Sequence, residues 1–463
     1  MTASDGLPGR SLLELSDLLR RRQLSPVELT RAHLDRIERD DPVLRAYIAV
    51  QAEDALAAAE RAEREIGEGR WRGALHGTPI GLKDNLYVEG HVTTMGSTVH
   101  RDFVPDHSAT VVTRLAEAGA VCLGKLNLHE YALGGTTNNP VFGTCRNPWD
   151  VERSPGGSSG GSAVAVAAGL ASAALGSDTS GSIRVPAAMC GVVGFKGSYG
   201  RVSTHGCFPE AWSLDHVGPL TRTVADAAVV FDTISGHDPR DPASLALPPT
   251  DTASALSARC DGLVLGIDEG AFFGDLDPGI ESCVRAAVRA LEESGARRAP
   301  VRVPDPAESD HVLDVIDAAE AAAVHRDAFR DRPADFAEDV RPLLRRGGEL
   351  SAVDYVAAQR SRLRLREEMA RAFEHADVLV APMVPVRTPR IGESHSGAFR
   401  LVTVASLFGL PCLSVPCGLV DGMPVGLQVI GPHLGDQRVL DTGRAVEELG
   451  LFGPGPADRP ARG

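Results

Sequence analysis

At 463 residues the chain is long enough for one large domain or two to three ordinary ones. With 43% apolar and 24% charged residues it can bury a core without disulfide or metal support. Its 62 acidic against 47 basic residues leave a net charge of −15, which repels phosphate backbones and anionic lipid and argues against nucleic-acid and membrane partners.

The first 70 residues read as helical. Ser25-Pro26-Val27-Glu28 is a capping box with proline at the first helical position, and residues 49–66 form a second helix stopped by Gly67. An extended run over 78–84 follows, then a helix over 109–118 and an apolar strand over 119–124. The stretch 154–177 is uncharged and of membrane-spanning length, but it is crowded with Gly, Ser and Ala, so it reads as a buried, tightly packed segment. Residues 238–258, rich in Pro and Ser, read as a surface excursion. Strands at 263–268, 378–382, 412–416 and 425–431 alternate with helices at 280–293 and 351–376, which predicts an α/β layered fold. The segment from Pro454 reads as a disordered tail.

The eight cysteines form neither a CxxC pair nor a zinc-spaced cluster with histidine. They suit reduced thiols in a cytoplasmic protein, and no secretory signal is visible at the N-terminus. Only three of the basic residues are lysines, Lys83, Lys125 and Lys196, and the other 44 are arginines. Guanidinium stays protonated, whereas a buried ammonium can lose its proton, so a lysine that survives such a bias marks a position where arginine cannot serve. Chance retention or a packing constraint is the plain alternative for each.

Three segments carry chemistry: Ser154 to Ser162 (SPGGSSGGS), Gly176 to Arg184 (GSDTSGSIR) and Gly77 to Asn85 (GTPIGLKDN). Gly/Ser-rich loops bring backbone N–H groups close to a ligand, and a nest of free N–H groups over 179–182 would form an oxyanion hole worth about 3 kcal/mol per donor. Such loops are more often turns or linkers, but these two flank the small-residue run 163–174 and so look built into the core.

These segments resemble the amidase signature. Ser182 follows Ser158 by 24 residues and follows Lys83, in a GLKD context, by 99. GKLNLHEYALGG (124–135), NPVFGTCRNPWD (139–150), CGVVGFKGSYGRVS (190–203), GLPCLSVPCGL and GMPVGLQVIGP extend the likeness over about 11–445, most closely to stand-alone bacterial amidases. The resemblance implies a single large α/β domain over 1–453, with a central mixed twisted sheet flanked by helices on both faces. It implies a catalytic core at about 70–220, a variable insert at about 238–350, and a disordered tail at 454–463. It makes Ser182 the acylated nucleophile, Ser158 a bridging serine after a cis peptide bond from Gly157, and Lys83 the general base. The chemistry fits these residue types, because a serine hydroxyl needs a proton acceptor and a desolvated neutral amine can be one. It also makes Thr179, Ser180, Gly181 and Ser182 the oxyanion hole, with Asp178 and Arg184 bracing the loop. Pocket walls would come from loops at 131–138, 205–212 and 310–350, with Leu133 and Gly134 lining the acyl site and Phe208 and Trp212 capping it.

Competing motifs fall short. Gly156 to Gly160 matches a G-x-S-x-G elbow, but the prolines before it exclude the strand that motif needs. Lys125 completes G-x-x-x-x-G-K, yet Leu126 stands where Ser or Thr would bind magnesium, and His129-Glu130 lacks a second histidine because Leu133 occupies that place. Asp215 and His216 have no supporting motif for a Ser-His-Asp triad, and Lys125 and Lys196 read as structural. The expected activity is hydrolysis of small or aryl amides without metal or cofactor, the chain acting alone or as a homodimer. Carbamate or ester cleavage (urethanase-like) is one alternative. Glutamine hydrolysis within a tRNA-dependent amidotransferase complex is another.

Overall fold

The computed structural model describes residues 6–395 and 397–458. Thirteen strands occur in chain order among them. β1 (Tyr47–Val50), β2 (Pro79–Lys83) and β3 (Val121–Leu126) come first, followed by β4 (Asn138–Asn139) and β5 (Gly143–Thr144). β6 (Ala173–Asp178), β7 (Val193–Lys196) and β8 (His216–Thr221) come next, then β9 (Val264–Ile267) and β10 (Arg297–Pro300). The last are β11 (Val378–Pro382), β12 (Cys412–Val420) and β13 (Met423–Ile430).

All but β4 and β5, which pair with each other, join one 11-stranded sheet in the order β1-β3-β2-β6-β8-β7-β12-β13-β11-β9-β10. The sheet is mixed. β3, β2 and β6 run parallel, as do β11, β9 and β10, and the remaining neighbours are antiparallel. Alternation of strands and helices along the chain hid this antiparallel middle, because β12 and β13 meet in a tight hairpin while β6, β7 and β8 exchange order.

Side chains alternate across a strand, and β6 shows the consequence: Ala173 and Leu175 enter one hydrophobic cluster and Ala174 another, so both faces are covered. The second cluster is built on the helix Gly160–Ala167, whose residues Ala163 to Ala167 share it with Ile37, Leu44, Ala55 and Ala59 of the N-terminal helices. Every residue from 154 to 179 is buried, which explains the uncharged run, and no helix of the described residues is long and apolar enough to cross a membrane.

Several local expectations are revised. Residues 49 and 50 belong to β1, so the second helix is Ala52–Gly67. Ser25 caps its helix by accepting from the Val27 and Glu28 amides, but its own hydroxyl bonds Glu63 from the neighbouring helix. The span 310–350 is mostly helical, taking in most of Pro306–Asp331 and all of Val340–Glu349, and the span 238–350 contributes β9 and β10 to the sheet edge. Within the expected tail, Pro456–Asp458 forms a 3-10 turn with Ala457 buried and its carbonyl bonded by Arg36, whereas 459–463 lie outside the described residues.

Candidate active site

The site forms where β2 and β6 end side by side, their register pairing Leu82 with Leu175. Lys83 is the last residue of β2, and Asp178, the last of β6, leads into the loop that carries Ser182 and into the helix Arg184–Cys190. Ser158 sits just before the helix Gly160–Ala167, after a cis peptide bond from Gly157. Close approach demands glycine here: a Cβ on Gly161 would stand 2.4 Å from the Asn127 carbonyl oxygen. The two loops are stitched together, since the Ser159 amide donates to the Ser182 carbonyl (3.1 Å) and the Ser159 hydroxyl to the Ser177 carbonyl (3.0 Å).

Lys83 Nζ lies 2.7 Å from Ser158 Oγ and 2.8 Å from Ser177 Oγ, all of it buried. Asn85 Nδ2 donates to the same Ser177 hydroxyl at 2.9 Å. Burial pushes the Lys83 ammonium down to about 8, and an ionised Glu210 carboxylate would be the strongest charge opposing that fall. An amine that gives up its proton near neutrality, in contact with a serine hydroxyl, is equipped to accept that hydroxyl's proton. Ser182 is 4% exposed, and its hydroxyl makes no hydrogen bond among the described residues.

Asp178 and Arg184 form a buried two-point ion pair, with Nε and Nη2 each 2.9 Å from a carboxylate oxygen. Burial alone would raise the Asp178 carboxyl, but the guanidinium overrides it and holds the group below the usual carboxylate range. The same carboxylate takes the amides of Gly181 (2.8 Å) and Ile183 (3.1 Å), which fixes the loop's shape. The oxyanion assignment is therefore revised: the Gly181 N–H is committed to Asp178. Among the described residues the backbone N–H groups of Thr179, Ser180 and Ser182 make no intramolecular hydrogen bond and remain available.

The other lysines have different partners. Lys125 lies 2.7 Å from Asp84 and donates to the Leu86 carbonyl and the Thr93 hydroxyl at 2.9 Å. Lys196 donates to the Leu410 carbonyl at 2.6 Å and lies 3.3 Å from His216, its ammonium pushed down to about 7 by burial and by Arg184. Asp215 meets Thr179 rather than His216, and no metal-holding group of His, Cys, Asp and Glu occurs among the described residues.

The expected pocket segments do meet. Leu133 packs in one cluster with Tyr131, Phe336 and Phe208, and the Phe208 amide donates to the Asn85 carbonyl at 2.8 Å. Gly134 lies over His129, where a Cβ would clash with the imidazole. Trp212 differs: it is 50% exposed, and among the described residues only its carbonyl is hydrogen-bonded, by the Tyr199 hydroxyl. Two residues missed in the sequence, Ser177 and Asn85, lie inside the quoted motifs. Glu210 was legible only as an acidic residue in the apolar run CFPEAW.

Residues 28–440 match the family model described as Amidase. The chain belongs to the amidase signature family. This amidase is 41% identical to a glutamyl-tRNA(Gln) amidotransferase subunit of Moorella thermoacetica, over 94% of this chain and 95% of that one. The solved native peptide amidase of Stenotrophomonas maltophilia superposes with a TM-score of 0.88 at 33% identity, covering 96% of this chain and 98% of that one. The corresponding glutamyl-tRNA(Gln) amidotransferase subunit of Thermotoga maritima superposes with a TM-score of 0.83 at 34% identity, covering 97% and 98%. The amidase acts on C–N amide bonds.

Proposed function

We propose that the amidase cleaves small or aryl amides through an acyl intermediate on Ser182, with Ser158 as the proton bridge and Lys83 as the base. The observation that supports this most is the 2.7 Å contact between Lys83 Nζ and Ser158 Oγ in a fully buried setting. Neutral Lys83 takes the Ser158 proton as Ser158 takes that of Ser182, and the Ser182 oxygen attacks the substrate carbonyl. The developing oxyanion meets the N–H groups of Thr179, Ser180 and Ser182. The proton returns through Ser158 to the leaving amine, and water then releases the acid.

Apolar packing beside the nucleophile loop favours an apolar acyl group. A Cβ on Gly181 would lie 2.9 Å from Val402, one on Gly135 would strike the Phe399 ring, and Val402, Phe399, Met383 and Ala398 form one apolar cluster. Aliphatic and aromatic neighbours suit an aryl or alkyl amide better than the zwitterionic head of glutamine. The second reading, glutamine hydrolysis within a tRNA-dependent amidotransferase complex, is favoured by the 41% identity to a component of such a complex. Assay of the purified chain alone decides between them. Turnover of an aryl amide that disappears in Ser182→Ala is expected, whereas glutaminase activity without aryl-amide turnover would select the second reading.

A further inference from the structure

Thr179 opens the nucleophile loop, and its hydroxyl carries a single hydrogen. Its Oγ1 lies 2.6 Å from Asp215 Oδ1 and 2.8 Å from Glu210 Oε2. One proton cannot serve two carboxylate acceptors, so one of the two carboxyls must itself donate to Thr179. Asp215 already accepts the Glu210 amide on Oδ2 (2.9 Å) and the Ala211 amide on Oδ1 (3.2 Å), which favours its anion. Among the described residues the Glu210 carboxyl hydrogen-bonds only Thr179, and Glu210 is 5% exposed.

We propose that Glu210 is a neutral carboxylic acid in the resting enzyme, donating its proton to Thr179 Oγ1, and that it is a positioning residue for the nucleophile loop. Thr179 in turn donates to Asp215. The charged and titratable groups that face Glu210 come from three directions: Lys83 at the end of β2, Cys207 and Asp215 in its own loop, and Asp317 on the helix Pro306–Asp331. Burial, then Asp317 and Asp215, push the Glu210 carboxyl well above its ordinary value, and Lys83 pulls it back. Asp317 is itself raised to about 7 by burial and by Asp215.

The consequence reaches the base. A Glu210 anion would hold Lys83 as ammonium, as Asp84 pairs with Lys125, and a neutral Glu210 leaves Lys83 free to lose its proton. This inference rests on the assignment of Lys83 and Ser182 above, so its first test is independent of turnover.

The infrared difference spectrum of the full-length protein, wild type minus Glu210→Gln at neutral pH, is expected to contain the C=O band of a protonated carboxylic acid. Absence of that band overturns the proposal, even if Ser182→Ala abolishes activity. The second test is kinetic. Glutamine is neutral and can still donate to Thr179, so Glu210→Gln is expected to leave the acidic limb of kcat/KM unmoved. A limb moved to lower pH by about one unit or more would mean that a negative charge had been removed, and would overturn the proposal. Glu210→Leu should lower kcat about tenfold with KM little changed, activity that glutamine at the same position restores. Equal losses in the Leu and Gln variants would also overturn it. Should the Leu variant fail to fold, the infrared band decides.

Discussion

Lys83 and Lys125 sit on adjacent parallel strands, β2 and β3, and both are fully buried, yet their surroundings are opposite. Lys125 is given a carboxylate, Asp84, at 2.7 Å, in a contact not aligned as a hydrogen bond, so the pairing is charge on charge. Lys83 is given two neutral hydroxyls, and the carboxyl that faces it is bound to Thr179 instead. Burial of equal depth thus goes with a carboxylate-paired lysine in one place and a titratable base in the other, and the partner decides which. The aspartate that follows Lys83 in sequence serves the neighbouring lysine.

The largest effect should come from exchanging Lys83. Lys83→Met should lower kcat by about 10⁴-fold or more, because the hydroxyl relay loses its acceptor. Its thermal midpoint should move little, since Ser158 and Ser177 are left uncharged. Lys83→Arg should be as inactive, because a guanidinium keeps its proton. Turnover within tenfold of wild type in either variant would sink the base assignment. Lys125→Met should show the reverse. It strands the buried Asp84 carboxylate, and denaturant titration should register a loss of about 3 kcal/mol, softened by the Thr94 amide and hydroxyl that still bond Asp84. The folded fraction should turn over substrate at nearly the wild-type rate. A stable but inactive Lys125→Met would place that lysine in the chemistry and erase the contrast.

Much of this contrast was legible in the sequence, and the part that was not has a physical cause. The resemblance to the amidase signature pointed to Lys83, Ser158 and Ser182, and the charge-free run between the glycine- and serine-rich loops read as buried, as it is. The strand at 378–382 was read to the residue, since five apolar residues between turn signals leave little freedom. The antiparallel centre of the sheet was not legible, because strand order is settled by contacts distant in sequence. Neither was the commitment of the Gly181 N–H to Asp178, nor the place of Glu210: both depend on where a side chain turns, and periodicity carries no such information.

The pH dependence sharpens the comparison at a smaller scale. With the Lys83 ammonium losing its proton at about 8, the competent neutral form is scarce below that value and dominant above it. A plot of kcat/KM should therefore climb about tenfold per pH unit on the acidic side and level off above about 8. A flat profile between pH 6 and pH 9 would mean that no group with the Lys83 titration governs the rate.

The smallest effect concerns Ser177, the hydroxyl that distinguishes the Lys83 environment from a bare apolar pocket. Its Oγ accepts from Lys83 at 2.8 Å and from Asn85 at 2.9 Å. A hydroxyl acceptor stabilises an ammonium more than an amine, because hydrogen bonds to charged groups are worth about 1.5–3 kcal/mol and neutral ones about 0.5–1.5. Ser177→Ala removes that difference of about 1 kcal/mol, so the charged form of Lys83 loses more than the neutral form, and the acidic limb should move to lower pH by somewhat less than one unit. Below the limb the variant would then be the faster enzyme. Above it the variant should be slower, since the amine has one anchor, Ser158, where it had two. That crossing of the two profiles separates a tuned base from a merely packed lysine. A limb displaced to higher pH, or parallel profiles at every pH, would show that Ser177 holds the strand ends together and leaves the proton affinity of Lys83 to burial alone.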